Sequence, residues 1–249
     1  MRAEIASHGG SGPPVVYVPG IDGTGELLLG TAEKLRERFE LLCLSYHDDG
    51  GPGDGSLYER LADSVAEAMR GAGIPRAVIL AESFGGGVAL QLALRHPECV
   101  LSMMLVNSFA WYPARVRVRL SAWLVPWAPP WLLRIGRASL ASRTLFRPRR
   151  DPEAELRFRK VIPGFARGGY AKRLKAIPHL DLRDRLKEIT VPCDLYCADH
   201  DRVVPSRRSM ELMARLLPNA TLHTLPNANH LILPLAEEPW VDRVAALVP

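Results

Sequence analysis

Short apolar runs alternate with helical patterns along most of the chain. Apolar runs of four to seven residues predict six strands, at Val15–Val18, Leu41–Leu44, Ala77–Leu80, Val100–Val106, Cys193–Cys197 and Thr221–Thr224. Helical patterns predict five helices, at Glu26–Arg38, Leu57–Arg70, Ser83–Arg95, Arg207–Leu217 and Leu235–Leu247. This alternation predicts an α/β fold with a mainly parallel sheet that is covered by helices on both faces.

The alternation breaks between about Ala110 and Ile189, where several helical patterns occur without a strand pattern. This segment is basic: residues 109–180 hold sixteen lysines and arginines against three acids, a net charge of +13, whereas the whole chain carries +5. It also holds four of the five tryptophans, Trp111, Trp123, Trp127 and Trp131. Two interpretations stay open: a solvated outer face, or a surface that meets an anionic membrane, an acyl-CoA or an acidic acyl carrier.

Length, composition and cysteine spacing limit the domain number, the cellular compartment and the cofactors that the chain is expected to have. A chain of 249 residues with 47% hydrophobic content fits one globular domain. The N-terminus lacks the apolar segment of a signal peptide, and the four cysteines form no metal-binding spacing, so we expect a cytoplasmic protein without a metal or other cofactor. The positive charge permits nucleic-acid binding, but no binding motif is present, so we expect no nucleic-acid partner.

Ser83 is the strongest candidate for a nucleophile. It follows the apolar run Ala77–Leu80 in the sequence Ala81-Glu82-Ser83-Phe84-Gly85 and precedes a helical segment. Small residues two positions before and after a serine allow a strand to turn sharply into a helix, which exposes the hydroxyl. The usual pattern has glycine at the position of Ala81, and a serine before a helix is often only its N-cap. The motif alone leaves both interpretations open.

An acid and a histidine follow this serine. The strand pattern that ends at Cys197 leads to Asp199 and Asp201, and a loop near the C-terminus holds His230. The chain order Ser83, Asp201, His230 is the order of α/β-hydrolases and differs from that of chymotrypsin and subtilisin. Three other histidines compete with His230 but are less well placed, within a strand pattern, between the two acids or in the basic segment: His223, His200 and His179.

With these residues the chain resembles the α/β-hydrolase superfamily over nearly its full length. The loop Pro19-Gly20-Ile21-Asp22-Gly23-Thr24-Gly25 is similar to that of bacterial and plastid esterases, thioesterases and phytyl-ester-type acyltransferases. The resemblance implies the α/β-hydrolase fold, with residues 1–109 and 190–249 as the core and residues 110–189 as a helical cap inserted after the sixth strand. It also favours Asp201 over Asp199, because the family's acid precedes an x-apolar-apolar-Pro turn, here residues 202–205.

The resemblance implies an oxyanion hole formed by the backbone N–H groups of Ile21 and Phe84. Many family members have His-Gly where this chain has Pro19-Gly20, which removes a supporting side chain but not the backbone donor. Glu82 is interpreted as a polar wall beside the nucleophile. Five residues are predicted to contact substrate, although Asp22 could instead bond to the amides of its own turn: Gly20, Asp22, Trp111, Trp123 and Trp127.

The predicted function is a serine hydrolase that cleaves carboxylic esters through an acyl-enzyme. His230 would act as the base and Asp201 would orient it. An acyl thioesterase or an acyltransferase on the same residues is the near alternative. A non-catalytic binding protein is disfavoured because all three triad positions are filled, and a serine at position 83 argues against sister enzymes that use an aspartate nucleophile.

Overall fold

Helices cover both faces of a single sheet whose central strands are apolar. In the computed structural model of the protein, the sheet has seven strands, β1 (Arg2–Gly9), β2 (Pro14–Val18), β3 (Glu40–His47), β4 (Ala77–Glu82), β5 (Val100–Val106), β6 (Cys193–Ala198) and β7 (Ala220–Leu225). Their order is β1-β3-β2-β4-β5-β6-β7, with β1 antiparallel to β3 and the other neighbours parallel. The structure describes residues 1–48, 55–113, 115–124, 127, 145–146, 151–161, 167–201, 203–235 and 237–248.

Eight α-helices lie in this described part of the chain. They are α1 (Gly30–Arg36), α2 (Leu57–Gly71), α3 (Phe84–Arg95), α4 (Arg115–Leu124), α5 (Pro152–Val161), α6 (Arg167–Ala176), α7 (Ser206–Leu216) and α8 (Trp240–Ala245). Alternate residues of β2 enter two separate cores: Val16 and Val18 pack with α2, α3 and α7, while Val15 and Tyr17 pack with α1 and α8. The sheet is therefore the middle layer between two apolar cores.

The six predicted strands are confirmed, and β5 matches its predicted range residue for residue. β1 is not among the predicted strands. This strand pairs only with β3, at the edge of the sheet, and its residues between Arg2 and Gly9 are mostly exposed or half-buried. An edge strand needs few apolar side chains, so it lacks the pattern that marks the central strands.

Three predicted helices match α2, α3 and α7 to within one residue at each end. α2 begins with a capping box formed by Ser56 and Glu59. The other two are shorter than predicted. α1 begins only after Leu29, whose φ of 48° is incompatible with a helix. α8 begins only after Pro239, which stands at the N-cap.

The basic segment, which we call the insertion (residues 110–189), contains helices in its described residues. Strands do not alternate with helices in this described part, as they do in the rest of the chain. Its two ends are joined by a hydrogen bond from the Leu182 N–H to the Ala110 carbonyl, 3.0 Å, and by a bridge between Trp111 and Asp181. The insertion follows β5, the fifth strand of this sheet, whereas the resemblance to the family implied a place after a sixth strand. That the insertion is a cap with these boundaries stays a prediction.

The parallel strands place their carboxyl ends at one edge of the sheet, where sites of α/β proteins form. Ser83 follows β4, Asn107 follows β5, Asp201 follows β6 by three residues, and His230 follows β7 by five. Residues that are far apart in sequence are thus brought to the same edge.

The first turn of α3 lies against the loop after β2. A Cβ at Gly85 would overlap the backbone carbonyl groups of Val18 and Pro19, and a Cβ at Gly86 would overlap the side chain of Ser108. The glycines therefore permit a helix–strand approach that no larger residue would allow.

Gly85→Ala is expected to lower the free energy of unfolding by about 1–3 kcal/mol, because the added methyl group meets rigid backbone rather than a side chain that can move. The matched control is Gly71→Ala at the end of α2, where nothing lies within 4 Å of the added Cβ. We expect the control to change stability by less than about 0.5 kcal/mol. Urea unfolding followed by circular dichroism measures both; equal effects would contradict the close-approach argument.

Candidate active site

Ser83 occupies a strained turn between β4 and α3. Its backbone has φ 51° and ψ −119°, a conformation that non-glycine residues rarely adopt. Although Ser83 stands at the N-cap position of α3, its side chain makes no capping hydrogen bond. The Ser108 hydroxyl donates to the Ser83 carbonyl oxygen at 2.8 Å and thereby holds the turn. The simple N-cap interpretation of this serine therefore does not describe its hydroxyl.

The side chains of Ser83, His230 and Asp201 form a continuous row. Nε2 of His230 lies 3.1 Å from Oγ of Ser83, and Nδ1 lies 2.8 Å from Oδ2 of Asp201. The other carboxylate oxygen of Asp201 accepts hydrogen bonds from the N–H groups of Val203 and Val204, at 2.8 and 3.0 Å. The turn after β6 thus fixes the carboxylate, and the carboxylate fixes the orientation of the imidazole.

Asp199, the competing acid, has a different role. It accepts hydrogen bonds from the N–H groups of Asn227 and Ala228, at 3.0 and 3.1 Å, in the loop that carries His230. Desolvation raises the pKa of Asp199, but these hydrogen bonds and the charge of His200 outweigh it, so the net shift is downward. The competing histidines lie elsewhere: His200 is exposed, and His223 stacks on Tyr196 with ring centroids 4.5 Å apart.

Asn107 connects the strand that carries the acid to the loop that carries the histidine. Its amide oxygen accepts from the Ala198 N–H at 2.8 Å, and its amide nitrogen donates to the carbonyl groups of Asn229 and His230, at 3.2 and 2.7 Å. The residue is buried and has a φ of 44°. The sequence does not reveal this role of Asn107, since an asparagine after a strand is usually a turn residue.

Two backbone N–H groups belong to residues that neighbour Ser83, namely Ile21 and Phe84. The Gly23 N–H donates to the Gly20 carbonyl at 3.2 Å, and because a trans peptide points its C=O and N–H in opposite directions, the Ile21 N–H points away from that turn. The Phe84 N–H belongs to the first turn of α3 and therefore has no partner within the helix. These are the two groups predicted as an oxyanion hole.

Arg173, on α6 of the insertion, holds the loop after β2. Its Nε donates to the Ile21 carbonyl at 2.8 Å and its Nη2 donates to the Asp22 carbonyl at 3.0 Å, while only 1% of the residue is exposed. The guanidinium also lies 5.6 Å from the centre of the Tyr46 ring, a cation–π distance. Nothing in the sequence distinguishes this arginine from the other basic residues of the insertion.

Asp22 bonds to its own turn, as the structural alternative predicted. Oδ2 accepts from the Thr24 N–H at 2.9 Å and from the Thr24 hydroxyl at 2.7 Å. Burial raises the pKa of Asp22, and the Thr24 bonds and the Arg173 charge only partly offset this. Its carboxylate is therefore occupied by the loop, and Gly20 shapes the same turn through its carbonyl.

Glu82 is buried beneath the nucleophile, with 3% of its surface exposed. Desolvation, followed by the charge of Asp22, raises its pKa to about 7, although a 2.5 Å hydrogen bond from the Tyr17 hydroxyl and the charge of His230 oppose the shift. For His230, desolvation lowers the pKa, but the Asp201 carboxylate and the Glu82 charge outweigh it, so the net shift is upward. The site is therefore electrostatically coupled from Asp22 to Asp201.

A cavity of about 320 Å³ opens onto Ser83 and Ile21. Its remaining described lining is mostly apolar and comes from the residues after β5, from the insertion and from the turn after Asp201: Phe109, Tyr112, Val118, Tyr170, Leu174, Ile177, Val203 and Val204. An apolar cavity beside a serine hydroxyl suits an uncharged acyl chain.

The structure does not bring the three predicted tryptophans to this cavity. Trp111 lies at the base of the insertion, with the Arg183 guanidinium 4.6 Å from its ring centre. Trp123 and Trp127 are 65% and 78% exposed. Trp131 lies outside the described residues. The aromatic cluster seen in the sequence is therefore not a single wall around substrate, because two of its members point to solvent. Within the described part of the chain, no group of three or more His, Cys, Asp or Glu residues could hold a metal ion.

A sequence model of the family described as the alpha/beta hydrolase fold matches residues 13–236. The chain belongs to this family. The α/β-hydrolase fold predicted from the sequence is thereby confirmed, including its mostly parallel sheet.

Individual relatives agree with this membership. A putative carbamate hydrolase, RutD, from Shigella flexneri is 25% identical over 232 residues, which cover 88% of this chain and 84% of the relative. A hydrolase from Pseudomonas aeruginosa has a TM-score of 0.81 and 26% identity, with 97% and 91% of the two chains covered. An esterase from Thermogutta terrifontis has a TM-score of 0.77 and 23% identity over 97% and 90% of the chains, which shows the shared fold. Together, the family and its relatives support hydrolase activity.

Glu82→Gln is expected to remove a pH-dependent loss of stability. The folded-state pKa of Glu82, about 7, exceeds the ordinary glutamate pKa of 4.5, so the folded chain binds a proton more tightly than the unfolded chain. The glutamate therefore costs stability progressively as pH rises from about 4.5 to 7. The glutamine still accepts from Tyr17 and carries no charge. The variant should match the native chain near pH 4.5 and exceed its unfolding free energy at pH 8 by up to about 3 kcal/mol.

Chemical denaturation across this pH range is the measurement. Glu67→Gln, at an exposed position of α2, is the control and should leave the pH profile unchanged. A Glu82→Gln chain that is equally destabilised at both ends of the range would contradict the assignment.

Proposed function

We propose that the protein hydrolyses carboxylic esters through an acyl-enzyme on Ser83. The observation that carries the proposal is the row of contacts from Asp201 through His230 to Ser83, at 2.8 and 3.1 Å, ending beside an apolar cavity. These separations allow the transfer of a proton from a serine hydroxyl to an imidazole that is oriented by a carboxylate.

In the proposed mechanism, Oγ of Ser83 attacks the ester carbonyl carbon while Nε2 of His230 accepts the hydroxyl proton. The N–H groups of Ile21 and Phe84 bind the negative oxygen of the tetrahedral intermediate. The intermediate expels the alcohol, which takes the proton from His230 and leaves the acyl group on Ser83. Water then attacks the acyl-enzyme by the same route, and the carboxylic acid leaves.

The surroundings of Ser83 favour an uncharged acyl group. The cavity lining is mostly apolar, and Glu82 and Asp22 are buried near the reacting atoms. A negative group beside the scissile bond would lie close to these two carboxyl groups, which disfavours anionic acyl chains. The similar esterase and the similar carbamate hydrolase both act, by name, on carbonyl compounds.

An acyl thioester is the second candidate substrate. The same acyl-enzyme would form, and the net charge of +13 in residues 109–180 complements the phosphate groups of an acyl-CoA or the acidic surface of an acyl carrier. Transfer of the acyl group to an alcohol instead of water remains a further alternative. The loop of residues 19–25, similar to that of esterases, thioesterases and acyltransferases, agrees with each of these.

A cytoplasmic setting is part of the proposal, supported by four buried free thiols, Cys43, Cys99, Cys193 and Cys197.

Ser83→Ala is expected to abolish hydrolysis of p-nitrophenyl butyrate, with a loss on the order of 10⁶-fold in kcat, because no other group can form the acyl-enzyme. A fluorophosphonate probe should label the native chain and fail to label the variant. Ser11→Ala, at an exposed position far from Ser83 in the sequence, should be labelled like the native protein. Labelling that persists in the Ser83 variant would refute the proposed nucleophile.

The two acids should separate sharply in kinetics. Asp201→Asn should lower kcat by about 10³–10⁴-fold, because an amide cannot stabilise the imidazolium or select the required tautomer. Asp199→Asn should have a much smaller effect, since an amide oxygen can still accept a hydrogen bond from the loop of Asn227 and Ala228. Steady-state kinetics on the short ester compare them; similar losses in both variants would argue against Asp201 as the acid.

A further inference from the structure

The outward face of α4 carries a concentration of exposed apolar side chains. Among the described residues, eight large apolar side chains are exposed, and five of them lie between residues 116 and 127. We call these five the α4 apolar face: Val116 (80% exposed), Leu120 (55%), Trp123 (65%), Leu124 (48%) and Trp127 (78%). Four of them lie within α4 at spacings of three and four residues, so they share one side of the helix.

The opposite side of the same helix belongs to the site. Val118 is only 7% exposed and lines the cavity beside Ser83. α4 therefore separates the cavity from solvent, with one apolar side turned inward and a second apolar side turned outward. Packing against the core explains the inward side of α4 but not the outward side. Single exposed leucines are common on protein surfaces, whereas a contiguous apolar patch usually contacts a partner.

The net charge of the insertion, taken from its sequence, indicates what the partner is. α4 contains three arginines and no acid, and Arg119 is exposed. Residues 109–180 carry a net +13, so the remainder of the chain carries −8. A chain polarised in this way turns its insertion toward a negatively charged surface. Exposed tryptophan and leucine flanked by arginine are typical of helices that lie in the headgroup region of anionic membranes.

We propose that the α4 apolar face docks the protein onto an anionic lipid bilayer. Trp123, Trp127 and the aliphatic side chains enter the headgroup boundary, and the basic insertion is held by the anionic lipids. A second copy of the chain fits this face poorly, because pairing would bring two insertions of +13 together. No helix in the described part of the chain is long and apolar enough to cross a membrane.

Docking in this orientation would place the cavity next to the lipid. If the proposed esterase activity holds, the substrates that benefit are esters dissolved in the bilayer, which would reach Ser83 past Val118 without crossing water. This consequence rests on the proposed function, whereas docking itself does not.

Co-sedimentation with vesicles of phosphatidylcholine, with and without 30% phosphatidylglycerol, tests docking without any substrate. We expect binding to the anionic vesicles only, weakening as salt shortens the screening length from about 30 Å at 0.01 M to about 8 Å at 0.15 M. Emission of the exposed tryptophans should shift to shorter wavelength on binding, because their rings leave water.

Two leucines of nearly equal exposure form a matched pair. Leu120 lies on the α4 apolar face and is 55% exposed, and Leu156 lies on α5 of the same insertion and is 57% exposed. Leu120→Glu should weaken binding to anionic vesicles by at least about tenfold, because the variant must bury a charge in the lipid interface. Leu156→Glu adds the same charge and should change binding by less than about twofold.

Each other outcome overturns docking through this face. Equal losses in the two variants would show attraction by charge alone. Absence of vesicle binding, together with a dimer in analytical ultracentrifugation that Leu120→Glu dissociates, would make the face a contact between copies. Binding to an acidic acyl carrier protein in place of vesicles would make the partner a protein. Hydrolysis of a short soluble ester is assayed separately: its absence in the native chain would refute the proposed function and leave the vesicle result standing.

Discussion

The contact between the first turn of α3 and the loop after β2 determines the geometry of the site. Because Gly85 lies against the carbonyl groups of Val18 and Pro19, the turn at Ser83 must be sharp, and the N–H of Phe84 comes next to that loop. Phe84 is held from both sides by aromatic rings, Tyr46 and Tyr58, with centroids 6.0 and 4.5 Å away. One steric constraint thus positions both Ser83, the proposed nucleophile, and the N–H of Phe84, a proposed donor to the oxyanion.

Hydrogen bonds made by two neighbouring residues, Asn107 and Asp199, position the proposed base His230 beside Asp201. Asn107 ties the end of β6 to the loop of His230, and Asp199 ties the same loop from the other side. Neither residue touches the reacting atoms in the proposed mechanism. Both act by limiting how far His230 can move from Ser83 and Asp201, which is how neighbouring groups hold a reactive side chain in a productive orientation.

The sequence predicts much of this structure because its strongest signals are local. Apolar runs mark the central strands, and the spacing of small residues marks the turn at Ser83. The prediction fails where a residue's role depends on distant neighbours. Arg173 is one of sixteen basic residues in residues 109–180, and only its burial against Ile21 and Asp22 singles it out. Similarly, Trp123 and Trp127 are predicted to contact substrate because they are aromatic, but the sequence does not show that their side chains are exposed to solvent.

Through the buried guanidinium of Arg173, the insertion becomes part of the framework of the candidate active site. It holds two carbonyl groups of the loop that presents the Ile21 N–H, and a Cβ at Gly23 would meet this guanidinium. Shortening the insertion to a linker, as protein engineers do to open a cleft, would strand two buried carbonyl groups without donors. A variant of this chain with a shortened insertion would therefore need another cation to bind these two carbonyl groups. For the same reason, an insertion taken from another family member would have to supply a cation at the position of Arg173.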